Sequence, residues 1–129
     1  MHYHVTPKRN VGRILQEGLR PSPGTSLGSW EEGPEEEDTR GKTFLGRTQE
    51  ESLYNLWNTA VNNPQDTRRF KGWALLGVDL PSGWPLEEDS YGFLFTTESI
   101  PSRYIYLVRP NIRIRDIMEM DNKRAFDKE

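Results

Sequence analysis

A single mainly apolar run, Trp73 to Leu80, constrains this chain more than any other segment. It falls far short of the roughly 20 residues a membrane span needs. It suits one central strand buried on both faces. The segments before it carry helical patterns. Thr48 and Glu51 form a capping box, a threonine followed three residues later by a glutamate that reaches back to the helix start. Leu53, Leu56, Trp57, Ala60 and Val61 then share one stripe of a helix, which Pro64 stops. Thr43-Phe44-Leu45 just before it reads as a short strand. The segments after the apolar run are strand-like. Pro81-Ser82-Gly83 turns the chain, Tyr91 to Thr96 places Tyr91, Phe93 and Phe95 on one face, and Tyr104 to Val108 alternates in the same way. Ile112-Arg113-Ile114 extends that pairing past Pro110. Helices early and strands late predict an α+β domain, with a mostly antiparallel twisted sheet and two main helices.

The 129 residues fit one domain, 1–129, large enough to bury a core without covalent staples. Cysteine is absent, which removes disulfides, thiolate metal sites and a thiol nucleophile. Two histidines alone do not make a zinc centre, so no metal is expected. No signal-peptide pattern opens the chain, and the expectation is a cytoplasmic protein with no membrane partner. Net charge is −3 but uneven. Glu31, Glu32, Glu35, Glu36, Glu37 and Asp38 form an acidic cluster inside a long loop, 20–42, and the tail 116–129 is also charged. The remaining basic residues are compatible with a phosphate-bearing ligand without forming a nucleic-acid stripe.

The N-terminal segment Tyr3-His4-Val5-Thr6-Pro7 followed by Lys8 to Leu19 reads as a strand, a helix and a glycine stop. Thr6 suits the helix cap and Pro7 the first helical position. Val11, Ile14 and Leu15 recur at helical spacing, and Gly18 takes the left-handed position beyond the helix. Architecture does not require a histidine at the end of that strand. His2 shares its face.

Tyr3-His4-x-Thr6, then Asn10 and Ile14-Leu15-x-x-Gly18-Leu19, resembles the opening of the ADP-ribosyltransferase fold, and within it the DarT-like nucleic-acid-modifying enzymes. Gly92-Phe93-Leu94-Phe95-Thr96-Thr97-Glu98-Ser99-Ile100-Pro101 with Tyr104-Ile105 resembles a late strand of the same fold, similar to that of the tRNA 2′-phosphotransferases. The resemblance implies a compact NAD-dependent ADP-ribosyltransferase acting on a macromolecule, nucleic acid or protein, with NAD as substrate. Size and fold are those of a toxin- or phage-type effector, by analogy. His4 would then hold a ribose hydroxyl, Thr6 would sit beside it, and Asn10 would contact the nicotinamide half. Phe44 is a candidate to stack on nicotinamide, with core packing as its ordinary role. Arg47 is a candidate to reach a phosphate, and Tyr54 lies just off the helix stripe.

The catalytic carboxylate is where the chain departs from that family. A glutamate is expected about eight residues ahead of the Ile-Pro pair, and Phe93 stands there. The transition state of such a transfer resembles an oxocarbenium ion and calls for a nearby negative charge. Glu98 and Asp89 are the candidates, with Glu87 and Glu88 beside Asp89. A second function class stays open: an inert domain of the same fold that acts as a protein-interaction inhibitor or regulator.

Overall fold

A computed structural model describes residues 1–21, 40–62, 64–68 and 70–117. Most of the acidic loop and of the charged tail therefore lies outside the described residues. The described chain is an α+β fold built on antiparallel sheets. Strands β1 (His2–Pro7), β3 (Trp73–Val78) and β6 (Ile105–Ile112) form one sheet in the order β1-β3-β6. Strands β2 (Thr43–Leu45), β4 (Glu87–Glu88) and β5 (Leu94–Thr96) form another in the order β2-β5-β4. The single sheet expected from sequence is thus two. Their meeting point is a lone antiparallel bridge among the described residues, where Tyr3 N–H donates to Gly46 O at 2.9 Å and Gly46 N–H to Tyr3 O at 2.7 Å.

The apolar run behaves as its composition dictates. All six residues of β3 are buried, and β3 is the middle strand. One face of this sheet packs Val5, Trp73, Leu75 and Ile112 against Leu53 and Leu56 of α2 (Gln49–Asn62). The other packs Leu76, Val78 and Ile105 against Ile14 of α1 (Val11–Glu17) and Leu45 of β2. Helix α2 opens on the expected cap, with Glu51 N–H donating to Thr48 Oγ1 at 3.1 Å. Trp57 is half-buried against the core and stacked on Tyr54, whereas Val61 faces solvent. A short helix, α3 (Pro64–Thr67), follows where the proline ends α2. Pro110 sits inside β6, which it can because β6 is an outer strand with no neighbour beyond it in the described sheet.

Two local expectations are corrected. Thr6 is not a helix cap: β1 runs on through Pro7, Thr6 pairs with Ala74, and Lys8 N–H still donates to Gly72 O at 2.9 Å. The ladder to β3 outcompetes the cap, and a 3-10 turn, Lys8–Asn10, separates strand from helix. The strand expected over Tyr91 to Thr96 is only Leu94–Thr96, because Asp89 to Phe93 form a tight turn with Tyr91 at its exposed tip.

Candidate functional site

Alternation along β1 places His2, His4 and Thr6 on one face and Tyr3 and Val5 on the other. The second set belongs to the core under α2. The first set faces the side where β2 and α1 lie. His4 is buried, and its Nδ1 lies 2.8 Å from Phe44 O. A carbonyl only accepts, so Nδ1 carries the hydrogen and Nε2 is the acceptor nitrogen of a neutral ring. Burial pushes the His4 pKa below its ordinary value of 6.5, opposed by the bond to Phe44. This side-chain to backbone bond, made where the two sheets meet, joins His4 and Phe44, two residues forty positions apart.

Thr6 on this face and Asn10, in the turn beyond the strand, carry the most informative chemistry of the N-terminal segment. Thr6 is wholly buried, and its Oγ1 has no hydrogen-bond partner among the described residues. The same holds for Asn10 Nδ2, at the turn between β1 and α1. Buried polar atoms are nearly always bonded, and leaving one unbonded costs about 1–3 kcal/mol. Both such atoms found among the described residues, Thr6 Oγ1 and Asn10 Nδ2, fall within five residues of one another in the sequence. Both groups can donate, and the hydroxyl can also accept. They fit a ligand rich in hydroxyl and carbonyl oxygens.

Phe44 touches this segment through its carbonyl, and the other expected site residues hold contacts of their own. Arg47 bonds Glu51 Oε1 at 3.0 Å, Gly92 O at 3.2 Å and the Glu88 carboxylate. It clamps the start of α2 to the β4–β5 hairpin. Asp89 sits in that hairpin, where its Oδ1 accepts from Tyr91 N–H at 2.9 Å and Phe93 N–H at 2.8 Å. Its carboxylate builds the turn. Phe44 is half-buried, and its ring meets Phe95 across the sheet at 5.9 Å. Phe93 is half-buried just ahead of β5. Glu98 is exposed on residues 97–99, between buried Thr96 and buried Ile100, and its N–H donates to Thr96 Oγ1 at 3.3 Å. Sequence reasoning missed the partner of that hydroxyl. Trp84 Nε1 donates to Thr96 Oγ1 at 3.0 Å, across a connection that has no periodicity to announce it. Among the described residues no grouping of histidine and carboxylates could hold a metal ion, and no helix is long and apolar enough to cross a membrane.

Comparison of the chain with protein-family models, with curated proteins and with solved structures returns no match.

The state of His4 has a measurable consequence. Between pH 6.5 and the lower folded pKa, the unfolded chain binds a proton at this position and the folded chain does not. Stability then falls on acidification through that window, at up to about 1.4 kcal/mol per pH unit. Denaturant titrations from pH 7 to pH 5 should show a shallower fall in His4→Asn than in the unsubstituted protein. His2, also lowered by burial first of all, contributes equally to both. Identical slopes would mean that His4 is charged in the folded state.

Proposed function

We propose that this chain is a compact NAD-dependent ADP-ribosyltransferase that modifies a macromolecular acceptor, nucleic acid or protein, in the cytoplasm. The observation that carries the reading is the pair of orphaned buried donors, Thr6 Oγ1 and Asn10 Nδ2. They fall on two of the residues that the N-terminal resemblance assigns to NAD. His4, neutral and held by Phe44 O, supplies a fixed third group on the same segment. In this reading His4 and Thr6 hold ribose hydroxyls, Asn10 takes the nicotinamide half, and Phe44 flanks them. Arg47, already clamped by two carboxylates, keeps a structural role.

Glu98 is the carboxylate of this reading. Asp89 has its Oδ1 committed to two backbone N–H groups, and Glu88 is paired with Arg47. Glu98 is exposed on a short arch, outside both of those arrangements. The bond from ribose C1′ to the nicotinamide nitrogen breaks, and nicotinamide leaves with the electron pair. A nucleophilic oxygen or nitrogen of the acceptor bonds to C1′ and gives up its proton. The Glu98 charge stabilises the cationic sugar between these events. Nicotinamide release from NAD measures the step, and a toxin- or phage-type setting is part of the same reading. Glu98→Gln should slow release by about a hundredfold or more, while Asp89→Asn leaves it within a few-fold. Equal rates in Glu98→Gln and the unsubstituted protein would remove Glu98 from the chemistry.

One observation favours a second reading. Phe93 occupies the place where the family's glutamate is expected, and it is half-buried there. An inert domain of this fold, working as a protein-interaction inhibitor or regulator, needs no carboxylate. NAD binding with no nicotinamide release under any condition would select it.

A further inference from the structure

Glu98 stands on an arch of exposed residues, 97–99, whose two ends are fixed. At one end Thr96 is buried in β5, paired with Thr43. At the other, Ile100 is buried and exchanges backbone hydrogen bonds with Leu19, at 2.8 Å and 2.9 Å. Between these ends, the arch backbone is held by the bond from Glu98 N–H to Thr96 Oγ1. That oxygen also accepts from Trp84 Nε1, so the rotamer of Thr96 is set from outside β5. The indole is itself held: it is half-buried, and its ring meets Tyr104 nearly edge-on at 6.2 Å. Tyr104 O accepts from Asp79 N–H at 2.8 Å, which ties the assembly back to the end of β3.

We infer that Trp84 and Thr96 are positioning residues for Glu98: the indole N–H fixes the Thr96 hydroxyl, and the hydroxyl fixes the backbone from which the Glu98 carboxylate projects. This rests on the proposed transferase activity and adds to it the device that aims the carboxylate. A carboxylate displaced by about 1 Å loses much of its effect on a developing charge, on the order of a hundredfold in rate. The tether fixes the point and angle at which the exposed glutamate leaves the arch. The chain places a tryptophan, whose N–H is a directed donor, where a purely apolar residue would fill the satellite core beside Leu80 and Leu86.

The test compares Thr96→Val, Thr96→Ser, Trp84→Phe and Glu98→Gln in the full chain. Two readouts are taken: nicotinamide release over a range of NAD concentrations, and amide hydrogen exchange at Glu98. Thr96→Val and Trp84→Phe should each lower kcat about tenfold or more with KM for NAD within about twofold. Both should speed exchange at Glu98, and Thr96→Ser, which keeps the hydroxyl, should restore both readouts. The double variant Trp84→Phe/Thr96→Val should be no worse than the worse single one, because both act through one oxygen. If Glu98→Gln is inactive while Thr96→Val keeps an unchanged kcat, the positioning role is overturned and the transferase reading stands. If Glu98→Gln keeps full activity, or nothing releases nicotinamide, the transferase reading falls and takes the positioning role with it. The exchange data separate a folded but misaimed arch from a chain that fails to fold.

Discussion

Thr6→Val should raise the melting temperature of the ligand-free protein and weaken NAD binding in the same molecule. A buried hydroxyl without a partner is a standing cost, and a methyl of nearly the same shape removes it. The gain is about 1–3 kcal/mol, and at this chain length each kcal/mol moves the melting temperature by roughly 4 °C. In the proposed reading the same change also takes away a hydrogen bond to NAD and leaves a ligand hydroxyl buried unpaired. That costs about ten- to a hundredfold in affinity. A purely structural threonine behaves in the opposite way, since deleting a satisfied buried hydroxyl lowers stability. Thermal melts with and without millimolar NAD read both effects. A lower melting temperature in Thr6→Val, with an undiminished NAD shift, would mean that this hydroxyl serves the fold and not a ligand.

Gly18→Ala is expected to be among the most destabilising single-methyl additions the described chain can suffer. Gly18 has φ 87° and ψ −177°, a region that side-chain-bearing residues scarcely adopt. A Cβ there would lie 2.2 Å from Ile100 O, a backbone atom that cannot swing aside. The carbonyl must move, and it is the acceptor for Leu19 N–H in the bridge that closes the 97–99 arch. Backbone strain and the broken bridge together cost on the order of 3–5 kcal/mol. Gly12 is the matched control. It is exposed within α1, the helix that Gly18 ends, and a Cβ added to it would meet nothing within 4 Å. Gly12→Ala should therefore stabilise by about 0.5–1 kcal/mol through helix propensity. Urea unfolding of the two variants gives the comparison. Similar small effects at both positions would contradict the close approach of α1 to residue 100.

These two residues also mark what the amino-acid sequence discloses and what it withholds. Strand β3 and helix α2 are readable because each repeats a pattern over many residues, a continuous apolar run in one and a capped 3.6-residue stripe in the other. Gly18 is readable as a helix stop with positive φ, although its ψ is extended and not left-handed helical. Thr6 reads as a cap because Thr-Pro ahead of a helical stripe carries the same local signature whether or not a strand neighbour is present. Only pairing with Ala74 decides between them, and that partner is remote in sequence. The β4–β5 turn hides for a similar reason. Alternation from Tyr91 to Phe95 looks like a strand, but the Asp89 carboxylate gathers two N–H groups and bends the chain there.

For the site, residue identity is legible and residue circumstance is not. His4, Thr6 and Asn10 stand out as a pattern, yet that two of them hold buried atoms without partners is a property of packing. Arg47 and Asp89 show the converse. Their side chains suit phosphate and catalysis, and the fold employs Arg47 to fasten a hairpin to a helix and Asp89 to build the turn of that hairpin. The Trp84 to Thr96 bond joins residues on either side of a turn-rich connection, and no spacing rule foretells it.

The proposed chemistry requires NAD to dock on the segment from His4 to Asn10. Titration of NAD into the isotope-labelled protein, followed by nuclear magnetic resonance, tests it most directly. The Asn10 side-chain NH₂ signals and the Thr6 backbone amide should shift together along one saturating curve, with smaller changes at Glu87 and Glu88. Signals of Thr6 and Asn10 that stay fixed at millimolar NAD would contradict the claim.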